Sequence, residues 1–135
     1  MTVLDEQQSG FLAERVWAIL ATGRTDGSPQ QSMIGYVVDD EGRIVISAKS
    51  FTAKWHNSVR QPSVSLCVPD GRVHLVVYGT AEAISEDPLR AELTADVFAR
   101  LMGKERPDPS GIVPMLNEQK RTVIRITPTS AIFHE

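Results

Sequence analysis

The segment from Ser63 to Ile84, SVSLCVPDGRVHLVVYGTAEAI, restricts the fold more than any other. Val64, Leu66 and Val68 alternate with Ser63, Ser65 and Cys67, the period of a strand with one buried face. Pro69-Asp70-Gly71 then turns the chain, and a longer apolar run follows at once. Two such runs joined by so short a turn are an antiparallel hairpin. Gly79, inside the second run, marks a bulge or a close backbone approach.

The same pattern recurs along the chain. VWAILAT (16–22) reads as a buried strand, and GRTDGSPQ as a turn set by Asp26-Gly27 and Pro29. QSMIGYVV (31–38) is a second strand, with DDEG as the hairpin turn into RIVISA (43–48). RTVIRITPTSAIFHE closes the chain as one or two strand segments.

Helices are fewer. LDEQQSGFLAERV places Leu4, Gln8, Phe11, Leu12 and Val16 near helical spacing, with Asp5 as the cap. SFTAKWHNSVRQ reads as a short polar helix stopped by Pro62. A longer helix has Asp87 as its cap, Pro88 in its first turn, Leu89, Leu93, Val97 and Leu101 on one face, and Gly103 as its stop. KERPDPSG reads as a loop, and IVPMLNEQ stays ambiguous. About six hairpin-linked strands imply a mainly β chain, a closed or nearly closed antiparallel barrel without sticky edges. A length of 135 residues suits one domain spanning 1–135.

Charge narrows the function. The net charge is −3, yet no carboxylate lies between Glu41 and Asp70, where Arg43, Lys49, Lys54 and Arg60 all fall. Ser47, Ser50, Thr52 and Ser58 surround these cations, with His56 beside them. Lysines, hydroxyls and free N–H groups at a helix start make a phosphate grip. The same residues also read as a solvated turn that keeps the chain soluble, since their spacing matches no Walker loop. The acidic balance argues against nucleic acid as partner. No apolar run is long enough to span a membrane, and the acidic start is unlike a secretory signal. Together with a single cysteine, Cys67, this fits a cytoplasmic protein.

Other chemistries find little support. His56, His74 and His134 lack metal-ligand spacing, so no metal site is expected. No Ser-His-Asp or paired-carboxylate arrangement can be read from the spacings. Tyr36 and Tyr78 read as strand aromatics with hydroxyls at the surface, Cys67 as buried, and Trp17 and Trp55 as core or interface aromatics. Trp55, next to Lys54, can alternatively edge a ligand site.

The order of motifs resembles the pyridoxamine 5′-phosphate oxidase-like split β-barrel family over about residues 9–134, above all its small members that bind flavin or the deazaflavin coenzyme F420. The matching elements are Asp26-Gly27 with Pro29, Lys54 and Asn57 as K-x-x-N, Pro62 before SVSL, Gly79-Thr80-Ala81, and the closing VIRITPTSAIF. The resemblance implies a six-stranded antiparallel split β-barrel and a homodimer with cofactor sites at the subunit interface. It makes Lys54 the foremost phosphate ligand, followed by Ser47, Lys49 and Thr52, and it passes Gln31, Ser32, Met33 and Ile34 beside the ring system. The implied cofactor is coenzyme F420, with FMN as the alternative. The implied activity is hydride transfer to a small electron-poor acceptor, with Tyr36, Tyr78, His74 or water as proton donor. A carrier without turnover, and a barrel without cofactor, are the competing classes.

Two departures are visible. Many members place an arginine immediately before the lysine, whereas this chain reads Thr52-Ala53-Lys54, leaving Lys49 as the candidate replacement. The vitamin B6 oxidases continue into a basic C-terminal segment, whereas this chain ends at SAIFHE, which argues against oxidation of pyridoxamine phosphate.

Overall fold

All strand pairs among the described residues, 3–135 of the computed structural model, are antiparallel. In chain order the elements are α1 (Glu6–Glu14), β1 (Trp17–Gly23), β2 (Pro29–Gly35), β3 (Val37–Val38), β4 (Ile44–Lys49) and α2 (Ala53–Arg60). Then come β5 (Ser63–Asp70), β6 (Val73–Ile84), α3 (Leu89–Met102), α4 (Pro109–Glu118) and β7 (Arg121–His134). The strands form one sheet in the order β2-β1-β5-β6-β7-β4-β3.

That order explains why the sheet must curl. Its two edges, β2 and β3, are joined in sequence by Tyr36 alone. Adjacent Cα atoms are about 3.8 Å apart, so the edges meet and the sheet closes on itself. The sequence suggested one strand over 31–38 and six in all, but Tyr36 breaks that run and the count is seven. The Tyr36 N–H donates to Val16 O (2.9 Å), and its hydroxyl donates to Leu12 O (2.6 Å) in the fully buried interior. The expected surface hydroxyl is therefore corrected. A tyrosine hydroxyl can be buried at little cost only when it finds such a partner.

The interior is filled by one face of each strand, with Leu20, Ile46, Leu66, Leu75, Ile124 and Ile126 at its centre and Leu12 of α1 as its cover. Each such aliphatic side chain contributes about 1.5–3 kcal/mol by leaving water. A second cluster, Val45, Ile84, Leu93, Val97 and Val123, lies where α3 packs on the outer side of the sheet. Two-sided cover explains why Ile44, Val45 and Ile46 are all buried rather than alternating.

Local signals mostly act as expected. Asp5 caps α1 in a capping box with Gln8. Gly79 sits at a register shift, where an added Cβ would stand 2.7 Å from Thr127 O. Asp87 is not the cap residue of α3; that position is Pro88, while the Asp87 carboxylate accepts from Ala91 N and the Arg90 guanidinium. IVPMLNE belongs to α4, with Gln119 as its C-cap; the helix opens at Pro109 under the Asp108 cap, so the last three residues of the expected KERPDPSG loop are helical. Gly111 and Pro114 obscured it, because both disfavour helix interiors. No helix among the described residues is long and apolar enough to cross a membrane.

Candidate functional site

Four elements converge beside Lys54. Ser47 and Lys49 share the outer face of β4, Lys54 stands in the first turn of α2, and Arg121 opens β7 directly opposite Lys49. The end of α3 leans over this corner. Gly35 lets it approach, since a Cβ there would fall 2.6 Å from Leu101 Cδ2. The result is a cleft of about 310 Å³ lined by Met33, Ile34, Gly35, Ser47, Lys54, Val97, Phe98, Leu101, Met102 and Arg121. No carboxylate belongs to that lining.

The electrostatics are lopsided. Lys54 is half-buried and has no hydrogen bond or ion pair among the described residues. Burial, and then the charge of Arg121, push its ammonium below the ordinary lysine pKa. Burial likewise lowers the Arg121 pKa. Arg121 Nε donates to Gln119 Oε1 (2.6 Å), Nη1 donates to Ser47 Oγ (3.2 Å), and the guanidinium lies 5.5 Å from the Phe98 ring centre. Two partly desolvated cations without an acid nearby form a site chemically suited to an anion.

The structure gathers Lys54, Ser47, Met33 and Ile34 at the cleft. It does not bring Lys49, Thr52, Gln31 or Ser32 into the lining. Lys49 Nζ lies 6.0 Å from the Phe51 ring centre, and Thr52 Oγ1 turns back to donate to Lys49 O (2.7 Å). Gln31 is exposed on the outer face of β2, while Ser32 Oγ accepts from Gln30 Nε2 (3.1 Å). Trp55 packs against the core instead of edging the cleft. Arg121 was missed because its proximity to Lys54 depends on pairing between distant strands.

Asn57, the second residue of K-x-x-N, has a positioning task. Its Nδ2 donates to Thr22 Oγ1 (3.1 Å), and Thr22 Oγ1 donates to Gln30 Oε1 (3.2 Å). Gln30 Nε2 continues to Gln31 O (2.9 Å), while Arg60 Nη2 binds Asn57 Oδ1 (2.9 Å) and Gly23 O (2.7 Å). This chain ties α2, which carries Lys54, to β2, which carries Met33.

The outer surface of the sheet differs in character. Strand register aligns Met33, Ile19, Cys67, Val76 and Ile132 in one row across five strands. Met33 is 62% exposed, Ile132 50% and neighbouring Trp17 55%. β1 is thus covered on one side only, and Cys67 is half-buried on the outer face, which corrects both sequence readings. A larger hollow, about 540 Å³, lies on this side among Ala21, Ser65, Tyr78 and Thr80, but its lining holds no charged side chain. His74 stacks on His134 with ring centres 5.3 Å apart, and no metal-holding group occurs among the described residues.

Comparison with known proteins agrees with this architecture. The family model described as pyridoxamine 5′-phosphate oxidase matches residues 4–135. The chain belongs to this family. A conserved hypothetical protein from Mycobacterium tuberculosis is 26% identical with a TM-score of 0.79, over 99% of this chain and 86% of that one. An F420 reductase is 25% identical with a TM-score of 0.73, over 96% of this chain and 98% of that one. A heme storage protein from Vibrio cholerae shares the fold at 21% identity and a TM-score of 0.70, over 99% and 96% of the two chains. No curated protein matches the chain significantly.

Proposed function

We propose that this chain is a cytoplasmic oxidoreductase that holds a flavin-type cofactor by its phosphate at Lys54, with reduced coenzyme F420 preferred over FMN. The observation that carries the reading is a half-buried, unpaired Lys54 in a cleft free of carboxylates. The F420 reductase of similar fold supports the choice of cofactor. When bound, that cofactor supplies a hydride equivalent from its ring to an electron-poor carbon of a small acceptor.

The residues supply position and exclusion of water. Lys54 neutralises the phosphate, and Ser47 offers a hydroxyl to it. Met33 and the backbone of Ile34 flank the path toward the exposed face of β2, where Gln31 and the Ser32 backbone would hold the ring system. The cleft is at the small end for a ligand site, so it suits the phosphate end of a cofactor whose ring would reach this open face. A second copy of the chain then covers it, docking on the apolar row that begins at Met33.

The proton that completes the reduction comes from water. Tyr36 is unsuited to donate, because its hydroxyl is engaged by Leu12 O and burial pushes its pKa up to about 12. Tyr78 and His74 do not line the cleft.

Parallel fluorescence titrations with FMN and coenzyme F420 test the reading. Tighter binding of F420 supports the deazaflavin assignment, and tighter binding of FMN moves the protein to the flavin branch. Lys54→Ala should weaken either ligand at least tenfold, whereas Arg43→Ala, whose side chain is held by Asp39, should not. Absence of both ligands at about 100 μM, near −5.5 kcal/mol, removes the cofactor assignment. Binding without turnover of any electron-poor acceptor leaves a carrier.

A further inference from the structure

We propose that Arg121 is the second cation of the phosphate site, standing in for the arginine absent before Lys54. This rests on the phosphate reading of the cleft and names a residue that lies far from Lys54 in sequence. The first support is the pattern of partners among arginines. Five arginines among the described residues are buried or half-buried: Arg15, Arg43, Arg90, Arg121 and Arg125. Four of them hold a carboxylate, respectively Asp70, Asp39, Asp87 and Glu82. Arg121 alone has none. A guanidinium kept from water without a counter-ion is costly, and its site is completed by an anion.

The second support is how the side chain is held. Gln119 takes Nε–H, Ser47 takes one Nη1–H, and Phe98 lies against the guanidinium plane's neighbourhood at 5.5 Å. A guanidinium has five N–H donors. One hydrogen on Nη1 and both on Nη2 have no partner among the described residues, so the guanidinium lining the cleft keeps donors for the oxygens of an anion. Lys54 lines the same cleft as a point charge. Lys49, the replacement suggested by the sequence, does not line it.

Like charge supplies the third support. Two cations that disfavour each other in the ligand-free protein become mutually supporting once a phosphate lies between them. FMN and F420 both present a phosphate, so the inference concerns that group and leaves the ring to the earlier titration.

The test compares phosphate-bearing ligands with phosphate-free counterparts, riboflavin for FMN and the 5-deazariboflavin-type alcohol for F420. Arg121→Gln should lower affinity for the phosphate-bearing ligand about tenfold to a hundredfold while leaving the counterpart unchanged. Arg121→Lys should recover only part of the loss, because it restores charge without the fork. Thermal unfolding of each variant checks that the barrel is intact. An undiminished phosphate preference in a folded Arg121→Gln protein overturns the inference and leaves the Lys54 site standing.

If the parent binds neither cofactor, the cofactor reading fails and inorganic phosphate becomes the probe. A rise in the parent's melting temperature in phosphate over chloride at equal ionic strength, lost in Arg121→Gln, would still support Arg121. No phosphate-specific rise in the parent would overturn the inference as well.

Discussion

Arg90 and Arg121 are neighbours, since Arg90 Nη1 donates to Arg121 O (3.1 Å), yet they are held in opposite ways. Arg90 is buried, and four of its five guanidinium N–H groups are taken by Asp87 (3.0 and 2.7 Å), Asn117 (2.9 Å) and that carbonyl. Arg121 faces a cleft with amide and hydroxyl partners but no acid. A cation paired with an acid binds structure together, here α3, α4 and the start of β7. One left incomplete, beside another incomplete cation, is disposed toward something outside the chain. That difference is what the proposed phosphate role of Arg121 rests on.

Breaking the acid-paired side should have the largest effect. Arg90→Ala strands Asp87 and the Arg121 carbonyl and should cost about 3 kcal/mol in urea unfolding. The preference for phosphate-bearing ligands should survive where the protein still folds. Arg121→Gln should show the converse, with ligand-free stability within about 1 kcal/mol of the parent and the binding loss described above.

Asn57→Ala tests the support between the two sides of the site. It removes two hydrogen bonds of a buried side chain and should cost about 1–2 kcal/mol. Cofactor affinity should also fall, because α2 and β2 lose their common tie. Unchanged affinity would restrict Asn57 to stability.

Tyr36 is a neutral example of a saturated group. Tyr36→Phe should cost about 1 kcal/mol by leaving Leu12 O without this donor. Its pKa of about 12 lies above the unfolded value near 10. The folded state therefore retains a proton that the unfolded state loses. That contribution is fully present below pH 10 and is lost as pH rises through about 12. Chemical unfolding between pH 9 and about 11 should fall less steeply with pH in Tyr36→Phe than in the parent. The smallest effect concerns Lys54, whose pKa is depressed by burial and by Arg121. In Arg121→Gln it should move back toward the ordinary lysine value, as read by NMR titration of the side-chain amine.

Much of this arrangement was legible before any coordinates. The β5–β6 hairpin followed from alternation and a PDG turn, the Asp5 cap from its distance to Gln8, and the Gly79 bulge from a glycine inside a strand. These features depend on neighbours in the chain, and local sterics and hydrogen bonding suffice to set them. Lys54 and Ser47 were legible as a basic, hydroxyl-rich turn, and resemblance gave that turn a role. Lys49 looked equivalent in sequence but does not line the cleft, because a residue's side of a strand does not settle which neighbour it meets.

Sequence by itself thus determined the antiparallel hairpins, the basic, hydroxyl-rich turn around Lys54 and the absence of acids from Gly42 to Pro69. Only the tertiary structure decided that Tyr36 breaks a strand, that α3 roofs the corner over Gly35, and that Arg121 joins Lys54. The physical reason is the range of the forces involved. Turn and strand preferences act over a few residues, whereas closure of the barrel brings together groups from opposite ends of the chain. Burial and charge then make their proximity matter.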